Sequence, residues 1–127
     1  VIAYKVARRT ADPEVFRSAM NDNPVRVKRS RSWWVPSRQY KIGRMTRAHS
    51  TSLGIFCFYL EGRAKRFAMN IPRSEILRVE GLGDPTEPSW IDGGFKHPIF
   101  RCTEVTRSVS TPDGTVCFPR VRTLGLI

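Results

Sequence analysis

Gly54-Ile55-Phe56-Cys57-Phe58-Tyr59-Leu60-Glu61-Gly62-Arg63-Ala64-Lys65-Arg66-Phe67-Ala68-Met69-Asn70 changes its period halfway along. Leu53 to Leu60 is an almost unbroken apolar run, the pattern of a central strand covered on both faces. From there Leu60, Ala64, Phe67 and Ala68 recur at helical spacing, with Arg63, Lys65 and Arg66 on the opposite side. Asn70 and Pro72 supply the stop. A buried strand feeding an amphipathic helix, about 61–70, puts strand and helix in one unit. An α+β fold follows if the flanking segments are strands.

They read so on both sides. Ile2 to Ala7 alternates as a first strand. Asp12-Pro13-Glu14 has the composition of a helix start, which makes 13–20 a candidate short helix, though the segment is brief enough for a strand. Asn21-Asp22-Asn23-Pro24 breaks it. Val25 to Lys28, Trp33 to Val35, and Tyr40-Lys41-Ile42 before Gly43 are short strands, and Thr46 to Ser52 is a polar loop. Glu75 to Glu80 is a further strand. Residues 81–98, rich in Gly, Pro and acidic side chains, form a loop that Trp90 and Phe95 pin to the body. Ile99 to Val109 and Thr115 to Leu124 flank Pro112-Asp113-Gly114, a turn signal, and predict a C-terminal β-hairpin. Pro119 places its strand at an edge or a bulge. The sum is a mainly antiparallel sheet with one clear helix, in a single domain spanning 1–127.

Charge is the feature that points to a partner. The chain has 127 residues, with 22 Lys plus Arg against 11 Asp plus Glu, a net charge of +11. Seventeen of those cations are Arg, whose guanidinium grips phosphate bidentately and stacks on flat rings. Residues 23–60 contain no Asp or Glu. Within them lie Arg26, Lys28, Arg29, Arg31, Arg38, Lys41, Arg44 and Arg47, interleaved with Trp33, Trp34 and Tyr40. Cations that follow phosphates and rings that stack bases are what a nucleic-acid groove needs. The bland alternative is a solvated basic surface with the aromatics in the core. Arg63, Lys65 and Arg66, with Arg120 and Arg122, form a candidate second basic strip.

Other classes find less support. No apolar stretch approaches the roughly 20 residues that cross a bilayer, and no signal-peptide pattern is present; whether a leader preceded Val1 stays open. Cys57, Cys102 and Cys117 have no CxxC spacing and, with His49 and His97, make no zinc pattern. Buried free thiols are the reading for them, with a Cys102–Cys117 disulfide as the alternative. Asp84, Glu87 and Asp92 share a loop without the spacing of a calcium site. No dinucleotide or phosphate-loop glycine motif and no GxSxG elbow occur, so no cofactor is implied.

One enzymatic likeness exists. Arg8 or Arg9, Ser50-Thr51-Ser52 after His49, and Glu104 resemble the Arg, Ser-Thr-Ser, Glu arrangement of one class of ADP-ribosyltransferases. There the Arg would hold the dinucleotide and the Glu would stabilise an oxocarbenium-like transition state. The sequence departs from that pattern at Cys102, where an acidic or amide residue belongs.

A broader resemblance runs through Ile2-Ala3-Tyr4-Lys5-Val6, Tyr40-Lys41-Ile42-Gly43 with Thr46, Gly54 to Phe58, Ala64 to Ala68, Ile76 to Gly81, and Gly114-Thr115-Val116 with Val121. This order resembles small α+β proteins of bacteriophage and prophage genomes. The resemblance implies a viral or mobile-element origin and carries no activity; the basic tryptophan stretch is not part of it. The expectation is therefore a non-enzymatic, basic module that binds DNA or RNA through residues 26–47, cytoplasmic or in a virion. Its rivals are a protein-interaction module docking on an acidic protein surface, and the transferase.

Overall fold

A computed structural model describes residues 1–19, 38–48, 54–87, 90–91, 109–110 and 112–127. Among these residues eight strands form one antiparallel sheet, and a second, two-stranded sheet stands apart. The strands of the large sheet are β1 (Ile2–Arg9), β2 (Val15–Ser18), β3 (Gln39–Lys41), β4 (Met45–Arg47), β5 (Ile55–Phe58), β6 (Ser74–Leu82), β9 (Thr115–Phe118) and β10 (Arg120–Leu126). The small sheet pairs β7 (Trp90–Ile91) with β8 (Val109–Ser110). The helix α1 (Glu61–Ala68) follows β5 directly. The α+β reading therefore holds, weighted toward β.

The order β3-β2-β1-β6-β10-β4 puts β6 between β1 and β10, with a branch from β1 through β5 to β9. The end strands β3 and β4 are not laddered, so the sheet is open. Yet only Ile42, Gly43 and Arg44 separate them in sequence, so the sheet must curl until its two ends meet. The Arg44 amide donates to the Lys41 carbonyl at 2.9 Å, the Gly43 amide donates to Thr123 at 2.7 Å, and the Thr46 hydroxyl donates to Gln39 at 2.7 Å. Gly43 has φ 82°, where a side chain would be strained.

Strand alternation sorts side chains onto the two faces of this curl. Ala3 and Ala7, Phe16, Tyr40, Ile55 and Cys57, Leu77 and Val79, Val116 and Phe118, and Val121 fill the inside. On the outside, Val6, Phe58 and Ile76 meet Ala64 of α1, with Phe67, Ala68 and Ile71 at the margin. The helix thus covers one end of the outer face, and among the described residues no element covers the other. The Phe58 and Phe67 rings lie 5.4 Å apart at 45°, joining strand to helix.

Several sequence expectations change. The candidate helix near 13–20 is strand β2 over 15–18: the Glu14 amide donates to the Asp12 carboxylate at 3.0 Å and the Val15 amide to the Asp12 carbonyl at 3.1 Å. That turn ends in a segment whose Phe16 and Ser18 are buried while Val15 and Arg17 are partly exposed. Its spacing of two excludes a helix. Met45–Arg47, in the stretch read as a loop from Thr46, is strand β4. The 81–98 loop contributes a bridge from Thr86 to Cys117, and β7. The run 115–124 breaks at Pro119 into two strands with different partners. The first arm of the expected hairpin, 99–109, lies outside the described residues except for Val109, which pairs with Ile91. Val25 to Lys28 and Trp33 to Val35 also lie outside them.

Candidate nucleic-acid interface

Of the predicted binding residues, Arg26, Lys28, Arg29, Arg31, Trp33 and Trp34 lie outside the described residues. Arg38, Tyr40, Lys41, Arg44 and Arg47 do not. Tyr40 is a correction: it is fully buried inside the curled sheet, and its hydroxyl accepts a hydrogen bond from Ser18 at 3.2 Å. A ring packed there cannot stack on a base. The physical reason is its register opposite Phe16, which fixes it on the inner face. Arg38, two residues before it, is half-buried. Lys41, Arg44 and Arg47 are exposed around the turn that joins β3 to β4.

Pairing then brings in residues distant in sequence. In the ladder of β4 with β10, Arg47 stands opposite Arg120 and Met45 opposite Arg122. In the ladder of β10 with β6, Arg120 stands opposite Leu82 and Arg122 opposite Glu80. Glu80 in turn faces Ile2 of β1, and Arg78 faces Tyr4. All these side chains lie on the outer face; Tyr4 packs at the margin of the helix cluster, and the others lie beyond it. One row thus reads Arg47, Arg120, Leu82, and the next reads Met45, Arg122, Glu80, Ile2. Arg122 reaches the Glu80 carboxylate at 3.3 Å. Neither Arg47 nor Arg120 has a carboxylate partner among the described residues. Like charges directly opposite across a ladder repel, so this pair raises the local positive potential without a counter-ion among the described residues.

The strip proposed on the helix is different. Lys65 is held by Glu61 at 2.8 Å, and Arg63 lies 3.9 Å from Asp113. Two of its three cations are therefore partly neutralised, while Arg120 and Arg122 join the β4 arginine instead. On β1, Arg9 pairs with Glu75 at 2.7 Å and lies 6.0 Å from the Phe16 ring centre. Arg8 donates to the Ser18 carbonyl at 3.2 Å.

Inside the sheet the polar groups serve packing. Lys5 is only 5% exposed, with its ammonium 5.6 Å from the Tyr40 ring centre, a cation–π geometry. Sequence alternation placed Lys5 on a strand but gave no sign that it points inward. Cys57 and Cys117 are buried thiols that form no disulfide. Burial, then the neighbouring Cys57, pushes the Cys117 thiol far above its ordinary value, and the charge of Lys5 opposes this weakly. A thiol held neutral in this way is a poor nucleophile. Removal from water, followed by a hydrogen bond with Glu87, raises the Tyr59 hydroxyl.

Among the described residues no group of His, Cys, Asp and Glu is placed to hold a metal ion, and no helix is long and apolar enough to cross a membrane. His49, Ser50-Thr51-Ser52, Cys102 and Glu104, on which the transferase likeness and the disulfide rest, lie outside them. Comparison of the chain with protein-family models, curated proteins and solved structures gives no match.

Proposed function

We propose that the protein is a basic, non-enzymatic nucleic-acid-binding module whose contact surface includes the outer face of β4 and β10. One observation carries the reading: Arg47 and Arg120 face each other across the ladder, and neither has a carboxylate partner among the described residues. Such a pair is destabilising by itself and is relieved by a polyanion. Lys41 and Arg44 at the adjacent turn, and a net charge of +11, add to the same potential. Arg26, Lys28, Arg29, Arg31, Trp33 and Trp34 belong to the same proposal by their place in the acid-free run that leads into β3. A phage or mobile-element origin, a cytoplasmic or virion location, and the C-terminal hairpin stand with it as proposals.

Fluorescence anisotropy with labelled oligonucleotides over a salt series tests the reading. Arg47→Ala with Arg120→Ala should weaken binding across all sequences alike. Each guanidinium removed should flatten the slope of log affinity against log salt by about 0.7–0.9. Unchanged affinity and slope would remove this face from the site. A pull-down repeated after nuclease treatment separates nucleic acid from the alternative partner, an acidic protein surface: partners lost on nuclease treatment favour the first.

A further inference from the structure

The open part of the outer face is divided, and the division bears on which kind of nucleic acid fits it. Toward β4 and β10 it carries Arg47, Arg120 and Arg122. Toward β6 and β1 it carries Leu82 and Ile2, and at its border stands the half-buried ring of Tyr4, packed on the helix cluster, with Arg78 across from that ring. Cations along one border and apolar or flat side chains along the other match a strand whose phosphates and unstacked bases diverge. A duplex offers its phosphates outward and hides its base faces. Side chains on one face of a strand repeat every ~6.8 Å, so Arg120 and Arg122 are spaced to meet separate phosphates. The helix is not a rival reader: it has eight residues, its Ala64 side is packed on the sheet, and Glu61 and Asp113 hold two of its cations.

We infer that this face is a platform for single-stranded nucleic acid, with Glu80 as a built-in competitor of the phosphate at Arg122. The inference rests on the nucleic-acid reading above and narrows it. The phosphates run along Arg47, Arg120 and Arg122. Bases lie over Leu82 and Ile2 and reach the exposed part of Tyr4 at the helix border. Glu80 holds Arg122 at 3.3 Å in the free protein and yields it to a phosphate on binding.

The test compares a labelled oligothymidine of about 16 nucleotides with a duplex of equal length. The full chain should bind the single strand at least about tenfold more tightly, which is the worth of one stacked base. Glu80→Gln frees Arg122 and should tighten single-strand binding about two- to fivefold, the range of an exposed ion pair. It should also steepen the salt slope by about 0.7. Tyr4→Leu keeps an apolar side chain against the helix and should weaken the single strand while leaving the duplex unchanged. Equal or tighter duplex binding, with Arg47 and Arg120 still required, overturns the platform and leaves the broader reading intact. An unaltered salt slope in Glu80→Gln overturns the competitor role. Absence of binding to either oligonucleotide overturns both readings.

Discussion

Thr123 is fully buried, and its Oγ1 has no hydrogen-bond partner among the described residues. A buried hydroxyl without a partner forfeits its hydration. Thr123→Val removes the hydroxyl at nearly constant shape and should raise stability by about 1 kcal/mol. The expected reading is a higher urea midpoint with an unchanged slope. Cys117 gives a pH dependence. Its thiol is raised in the folded chain, so above about pH 8.5 the unfolded chain gives up a proton that the folded chain keeps. The stabilising effect is complete below that value and is lost progressively as pH rises above it toward the raised value of the folded thiol. Urea midpoints between about pH 8 and 9.5 should therefore fall, and Cys117→Ala should flatten that fall. Tyr40 shows why single residues in the basic stretch were misleading. The pattern of charges around it is that of a binding loop, but its position opposite Phe16 makes it core. No local signal in the sequence carries that register.

At the scale of elements, glycines fix how closely strands approach. A Cβ on Gly81 would lie 2.4 Å from the Phe118 ring, so β6 must be bare where that ring crosses it. Gly81→Ala should cost about 1–3 kcal/mol through overpacking. Gly62, in the first turn of α1, has nothing within 4 Å of a built Cβ. Gly62→Ala should stabilise by up to about 1 kcal/mol, and thermal melts of the two variants should move in opposite directions. Elements with a strong hydropathy signal were legible: β1 and α1 follow from spacing, β5 from its unbroken apolar run, and β6 from its apolar residues. Short ones were not. β4 has a single buried residue, Thr46, between Met45 and Arg47, so hydropathy shows no strand there. β2 follows an Asp-Pro-Glu turn that could open either a helix or a strand, and tertiary pairing decides. The pairing of Arg47 with Arg120 spans most of the chain and has no signature in either segment.

For the whole molecule, a charge of +11 works against compactness and for polyanion binding. Salt acts on both. Raising sodium chloride from about 0.05 to 0.5 M shortens the Debye length several-fold. The melting temperature of the free protein should therefore rise while its affinity for oligonucleotides falls. A fall in both would mean that self-repulsion is not what limits the fold. The position of β6, laddered to β1 on one side and β10 on the other, has a consequence for local opening. Each of its central amides donates to one of these neighbours, and freeing either neighbour splits the sheet through its middle. In deuterated water they should be the last to lose their protons, at a rate set by global unfolding. The amides of β3 and β4, each laddered on one side only, should exchange through much smaller excursions.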